Sequence, residues 1–234
     1  MTLRSVKPLS DSSHPLVQQT ARTLTADVSD TREKLARIFH FVRDEIVFGF
    51  PPEGDFVKAS QTIERGYGQC NTKGTLILAL CQVAGIPARL HYSRISKEIQ
   101  HGFFLGLFYA LMPREVTHAW LEVEIDRRWI PVDTYINDLT LHNAAVRKLK
   151  HTGWDTGFSV SCVAGEPSAE LDLSNTQFSQ MGAVVGDDGT WDEPAGFFNR
   201  PDYLNRPGVI KQGLYRLYLP LVNRRVRQLR ESEP

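Results

Sequence analysis

The sequence predicts a fold that mixes helices with antiparallel strands, and three stretches carry that prediction. Residues 30–46 have helical spacing, a long apolar helix pattern opens at Cys70, and residues 118–135 alternate as a pair of strands. The first stretch begins Asp30-Thr31-Arg32-Glu33, where Asp30 can cap and Glu33 can reach back as in a capping box. Leu35, Ile38, Phe39, Val42 and Ile46 then mark one helix face. A weaker helical pattern over 14–26 precedes it, and Pro51 and Pro52 break the chain after it.

The second stretch is the most informative. Arg65-Gly66-Tyr67-Gly68-Gln69-Cys70 is a glycine-rich turn that delivers a cysteine to the start of a helix. The partial positive charge of a helix N-terminus favours a thiolate and lowers the thiol pKa below about 8.5. Leu76, Ile77, Leu80, Cys81 and Ala84 follow at core spacing, Gly85 ends the helix and Pro87 confirms the break. Cys81 lies three turns along the same face and reads as core, while Cys162 sits in a polar stretch and reads as an incidental thiol. Residues 88–93 read as a short strand. The aromatic-rich segment 101–112 is open between strand, helix and a loop lining a cleft, with His101 a candidate for substrate contact.

In the third stretch, Ala119, Leu121, Val123 and Ile125 alternate with His118, Trp120, Glu122 and Glu124, which gives one core face and one wetter face. The partner places Ile130 and Val132 on one side and Trp129, Asp133 and Tyr135 on the other. Setting Leu121 opposite Ile130 and Ala119 opposite Val132 brings His118 opposite Asp133, within reach of a hydrogen bond. A shift of two residues makes that pair diagonal on the same face. Trp120 and Trp129 share the face, as a packed wall or as substrate contacts.

The totals bound what the chain can be. It has 234 residues, read as one domain over 1–234, with 27 basic and 27 acidic residues. That balance gives no argument for nucleic acid. No apolar run reaches the length of a membrane span, and the first residues lack the apolar core of a signal peptide, so a cytoplasmic location is expected. Three cysteines are too few and too odd for a disulfide framework, and without CxxC or HExxH no metal is expected. Beyond about residue 140 the regular signals thin out, and 152–208 reads as irregular. The tail 209–230 is helical again, and from Arg206 to Arg230 there are seven basic residues and no acidic one. That face is either solvated or a docking surface for an acidic partner or an anionic membrane.

Taken together, Gly66-Tyr67-Gly68-Gln69-Cys70, Gly85-Ile86-Pro87-Ala88-Arg89, His118-Ala119-Trp120 and Trp129-Ile130-Pro131-Val132-Asp133 resemble the transglutaminase-like superfamily, in order and over roughly residues 14–140. The chain departs from many relatives at Gly74, which reads as a close backbone approach, and beyond Asp133 it carries no motif of the family. The resemblance implies an α+β papain-like fold, with the cysteine helix packed on an antiparallel sheet. Residues 141–234 lie outside the resemblance and read as an irregular extension, a candidate cover for the cleft. It also implies Cys70 as nucleophile, His118 as general base and acid, and Asp133 as the group that orients the imidazole. Gln69, with Gln61, is available as a second oxyanion donor, and Trp120, Gln69 and His101 as substrate contacts. The expected activity is cofactor-free hydrolysis of an amide bond in a peptide or small molecule through a thioester acyl-enzyme. Acyl transfer to an amine, or a non-catalytic binding module on the same fold, are the alternatives.

Overall fold

The computed structural model describes residues 7–174, 178–206 and 208–232, with 209 and 210 by backbone alone. Helix α1 (Pro15–Thr25) and helix α2 (Thr31–His40) precede a short strand β1 (Val47–Phe48), helix α3 (Ala59–Arg65) and strand β2 (Tyr67–Gly68). Asp30 caps α2 as expected, accepting from the Glu33 N–H at 2.9 Å. Glu33 does not complete the box, because its carboxylate pairs with Arg37 at 2.7 Å. A π turn over Phe41–Glu45 ends this helix where the sequence suggested a continuous one. Strands β1 and β2 pair in parallel, which fixes the turn just before Cys70.

Helix α4 (Cys70–Ala84) packs on α1, α2 and α3 and also on the sheet. Every side chain from Cys70 to Cys81 is buried, as expected of a helix that is covered on all sides. Gly85 ends it in the left-handed conformation, φ 70°, with its N–H on the carbonyls of Cys81 and Gln82. At Gly74 a Cβ would lie 3.2 Å from the Tyr135 hydroxyl and 3.4 Å from Leu90, so the close approach read from the sequence is real.

The sheet is antiparallel, in the order β5-β4-β3-β8, formed by β3 (Ala88–Ser96), β4 (Glu115–Ile125), β5 (Arg128–Val132) and β8 (Val184–Trp191). The β4–β5 hairpin corrects the expected register: Leu121 faces Val132, and Ile125 faces Arg128. The register with Leu121 opposite Ile130 would put Ile125 and Asp126 in the turn and take Ile125, a buried core residue, out of its strand. Asp126 and Arg127, at φ 52° and 61°, supply a two-residue primed turn that closes the hairpin instead.

The segment 101–112 turns and then forms the short helix α5 (Gly106–Leu111). Residues beyond 140 are less irregular than expected. Helix α6 (Leu139–Thr152), the small pair β6 (Thr156–Gly157) and β7 (Val160–Ser161), strand β8 and helix α7 (Pro194–Phe198) all lie there. The tail is helix α8 (Val209–Arg230). Of the leucines that could pack it on the body, Leu219 does, joined by Val222 and Val226, while Leu214, Leu217 and Leu221 stay exposed. Arg230 anchors its end on Asp138 at 2.7 Å and on the Phe48 carbonyl at 2.9 Å. No described helix is long and apolar enough to cross a membrane.

One core residue carries a charge problem. Lys73 of α4 is fully buried, its Nζ donating to the Arg43 carbonyl at 3.3 Å, and burial pulls its pKa down from 10.5 to about 7. The native state therefore gives up a proton that the unfolded chain keeps between about pH 7 and 10.5. Native stability through this group must rise with pH across that window. Urea unfolding of wild type and Lys73→Met should show any advantage of the variant shrinking steadily from pH 7 to pH 10. A difference that stays constant over that range would mean Lys73 is buried as the cation.

Candidate active site

Cys70 opens α4, and Gln69 caps the helix. The Gln69 Oε1 accepts from the Cys70 Sγ at 2.9 Å and from the Asn71 N–H at 3.1 Å. The amide is held in that orientation by Asp55, whose Oδ1 accepts from Gln69 Nε2 at 2.5 Å and from Asn71 Nδ2 at 2.8 Å. The other Asp55 oxygen accepts from the Tyr203 hydroxyl and, at 3.4 Å, from Asn205. Asn71 also donates to the Thr117 carbonyl at 3.3 Å, which ties the helix start to β4 just before His118.

This network sets the protonation of the sulfur. Burial and then the Asp55 charge push the Cys70 pKa up, against the hydrogen bonds that the Ala119 and Asn71 N–H groups offer. The helix N-terminus, expected from sequence to favour a thiolate, is outweighed. Cys70 rests as a thiol, with its S–H directed to Gln69.

His118, on β4, is fully buried, and neither ring nitrogen has a partner among the described residues. Burial lowers its pKa to about 3, so the imidazole rests neutral. Asp133, immediately after β5, accepts from the N–H groups of Ser179 and Gln180 at 2.7 Å and of Met181 at 2.8 Å. Burial raises its pKa to about 6 in spite of those three donors. Continued one residue, the observed hairpin register sets Asp133 beside Trp120, so His118 and Asp133 are diagonal rather than opposite. No hydrogen bond joins Cys70, His118 and Asp133 to one another among the described residues.

Cys70 and Gln69 reach a narrow cleft of about 20 Å³, room for roughly one water. Phe48, Phe50, Ile95, Ile99 and Val116 give it apolar walls, and Ser159 and Gln180 add polar groups from the C-terminal region. Two of the proposed contact residues are not part of its lining. Trp120 is stacked on His91, ring centroids 4.3 Å apart. His101 is stacked with Trp154 at 4.0 Å and with Tyr109 at 4.9 Å, and its neighbour Gln100 lines the cleft instead. His101 therefore contributes packing, and His91 packs on Trp120 while its ring nitrogens bond Glu122 and Asp187. Gln69 is in place, but its Nε2 is committed to Asp55. Sequence reading missed Asp55, Thr117 and Tyr203. None of them stands in a motif, and Asp55 and Tyr203 are 148 residues apart.

A cysteine at the start of a central buried helix, set against an antiparallel sheet with a histidine on one strand and an aspartate just past the end of the next, defines a transglutaminase-type α+β core. The transglutaminase-like superfamily profile matches residues 18–134, half of the chain, and the chain belongs to that superfamily. Cys70, His118 and Asp133 all fall inside the matched span. No curated protein matches the chain. Among solved structures, a candidate cysteine protease from Cytophaga hutchinsonii is similar at 15% identity and a TM-score of 0.48, over 81% of this chain and 45% of that one. A candidate protease from Parabacteroides distasonis ATCC 8503 is similar at 15% identity and a TM-score of 0.40, over 58% of this chain and 26% of that one. The chain thus spans less than half the length of either protein.

The Asp55 charge predicts its own test. Asp55→Asn keeps a side chain of the same shape and removes the negative charge beside the sulfur, so the Cys70 thiolate should form at lower pH than in wild type. Thiolate ultraviolet absorbance, followed with Cys81→Ala and Cys162→Ala in both proteins, reads that shift. An unchanged titration would mean that burial alone sets the sulfur.

Proposed function

We propose that the chain is a cysteine-dependent hydrolase that cleaves an amide bond in a peptide or small molecule. One observation carries this reading. Cys70 lines a cleft at the N-terminus of α4, and Asn71 ties that helix end to the strand bearing His118. In the reaction Cys70 gives its proton to His118, and the sulfur attacks the amide carbonyl. The first N–H of α4, left free by the helical pattern itself, is available to the developing oxyanion. His118 then returns the proton to the leaving amine, a thioester remains on Cys70, and water activated by the same imidazole releases the acid. Asp133 steadies the imidazolium across the diagonal.

The resting site holds a neutral thiol and a neutral imidazole, so the ion pair forms as substrate enters and the cleft widens. Residues 141–234 then act as the cover, since Ser159 and Gln180 line the cleft and the 179–181 turn occupies Asp133. That turn must yield for Asp133 to serve His118. Acyl transfer to an amine uses the same thioester and differs only in the acceptor.

A second reading has one observation in its favour. The Asp133 carboxylate is already satisfied by three backbone donors, as it would be in a binding module with no turnover.

Screening a library of peptide amides for free acid, with and without added amines, separates these readings. Hydrolysis should vanish in Cys70→Ala and fall about 10²–10⁴-fold in His118→Ala, with Asp133→Ala keeping a residue of activity. Conjugates in place of acid would assign transfer. Turnover at the wild-type rate in His118→Ala would refute the role of that base, and a Cys70→Ala protein that still performs the cellular role would leave the binding module.

A further inference from the structure

Seven of the twelve large apolar side chains exposed among the described residues gather on two touching elements. Leu105, Leu107, Phe108 and Leu111 come from α5 and its cap. Leu214, Leu217 and Leu221 come from α8. Phe108 stacks on Tyr218 with ring centroids 3.9 Å apart, and the Tyr218 hydroxyl donates to the Leu105 carbonyl at 3.4 Å, so the two elements present one surface. Leu214 and Leu221 lie one turn to either side of Tyr218. A contiguous apolar patch of this kind marks an interaction site.

The shape and charge of the patch select its partner. Leu107, Leu111 and Leu217 are 71%, 75% and 78% exposed, so their tips project instead of lining a groove that would receive a partner's anchors. Within the two elements the charge has one sign, with Glu98 near Tyr109 and Glu53 near Arg216 the acids that approach from neighbouring segments. Residues 105–114 and 208–230 contain no Asp or Glu. Arg225 and Arg230 are spent inside the fold, on the Phe103 carbonyl and on Asp138. Arg114, Lys211, Arg224 and Arg227 are exposed and make no ion pair among the described residues. A second copy packed on this face would set cation against cation.

We propose that α5 and α8 form a docking face for an anionic lipid surface, the leucines dipping into the acyl boundary and the basic side chains meeting the headgroups. The amphipathic character lies in one short and one long helix side by side, and it is independent of the chemistry at Cys70.

Sedimentation with phosphatidylcholine vesicles, with and without phosphatidylserine, tests the proposal on the whole chain. Wild type should bind the phosphatidylserine vesicles more tightly and lose binding as salt is raised. Leu107→Glu and Leu217→Glu should each weaken binding at least about tenfold, and Arg224→Gln and Arg227→Gln about fivefold each. Circular dichroism and thermal unfolding should show these exposed positions folding as wild type does. Three outcomes would overturn the proposal: no binding to phosphatidylserine vesicles, binding that the leucine variants leave intact, or equal binding to phosphatidylcholine alone. A concentration-dependent dimer that the same leucine variants abolish, without vesicle binding, would also overturn it and assign the face to a second copy.

Discussion

The carboxylate of Asp55 holds the candidate site together. It fixes the amides of Gln69 and Asn71 on either side of Cys70 and takes the hydroxyl of Tyr203 from the C-terminal region. Three segments distant in sequence thereby meet at the first turn of α4. A buried carboxylate is tolerated only when its lone pairs are filled, and here side-chain donors fill them. The arrangement couples the start of α4 to the last third of the chain, which the superfamily match does not reach.

Two fields compete at the sulfur. The helix N-terminus favours the thiolate by an interaction that falls off within a turn and is worth about 1 kcal/mol when exposed. Burial and a carboxylate one residue's reach away act against it, and they win. The same desolvation leaves His118 neutral and keeps Asp133 hard to ionise. A closed, dry site thus keeps the Cys70 thiol and the His118 imidazole in their uncharged forms. In the reaction we propose, widening the cleft admits the solvent or substrate dipoles that stabilise an ion pair, so access and activation become one event.

Much of this architecture was legible in the sequence, and the misses have physical causes. Helix α4 and its Gly85 stop follow from local periodicity and backbone conformation. The faces of β4 and β5 follow from alternation, but their register depends on the turn, and Asp126-Arg127 lacks the glycine or asparagine that usually marks a primed turn. Helix α6 did carry signals, the Asp138 cap and Leu141, Ala144, Ala145 and Leu149 at core spacing before Gly153. Strand β8 did not: Gly186, Asp187, Asp188 and Gly189 are poor strand formers, and the strand exists because β3 offers it an edge. The Asp55 network joins single residues across long stretches of chain, and no pattern in one sequence marks such a contact.

The most direct test of the account is whether Cys70 takes up an acyl group in a His118-dependent step. Incubation with a p-nitrophenyl ester, followed by mass spectrometry of wild type and His118→Ala, reads it without knowledge of the natural substrate. The account predicts a thioester on Cys70 that forms and turns over in wild type, and that neither forms nor clears at a comparable rate in the variant. Acylation spread over Cys162 as well, absent from Cys70, or indifferent to His118 would contradict it.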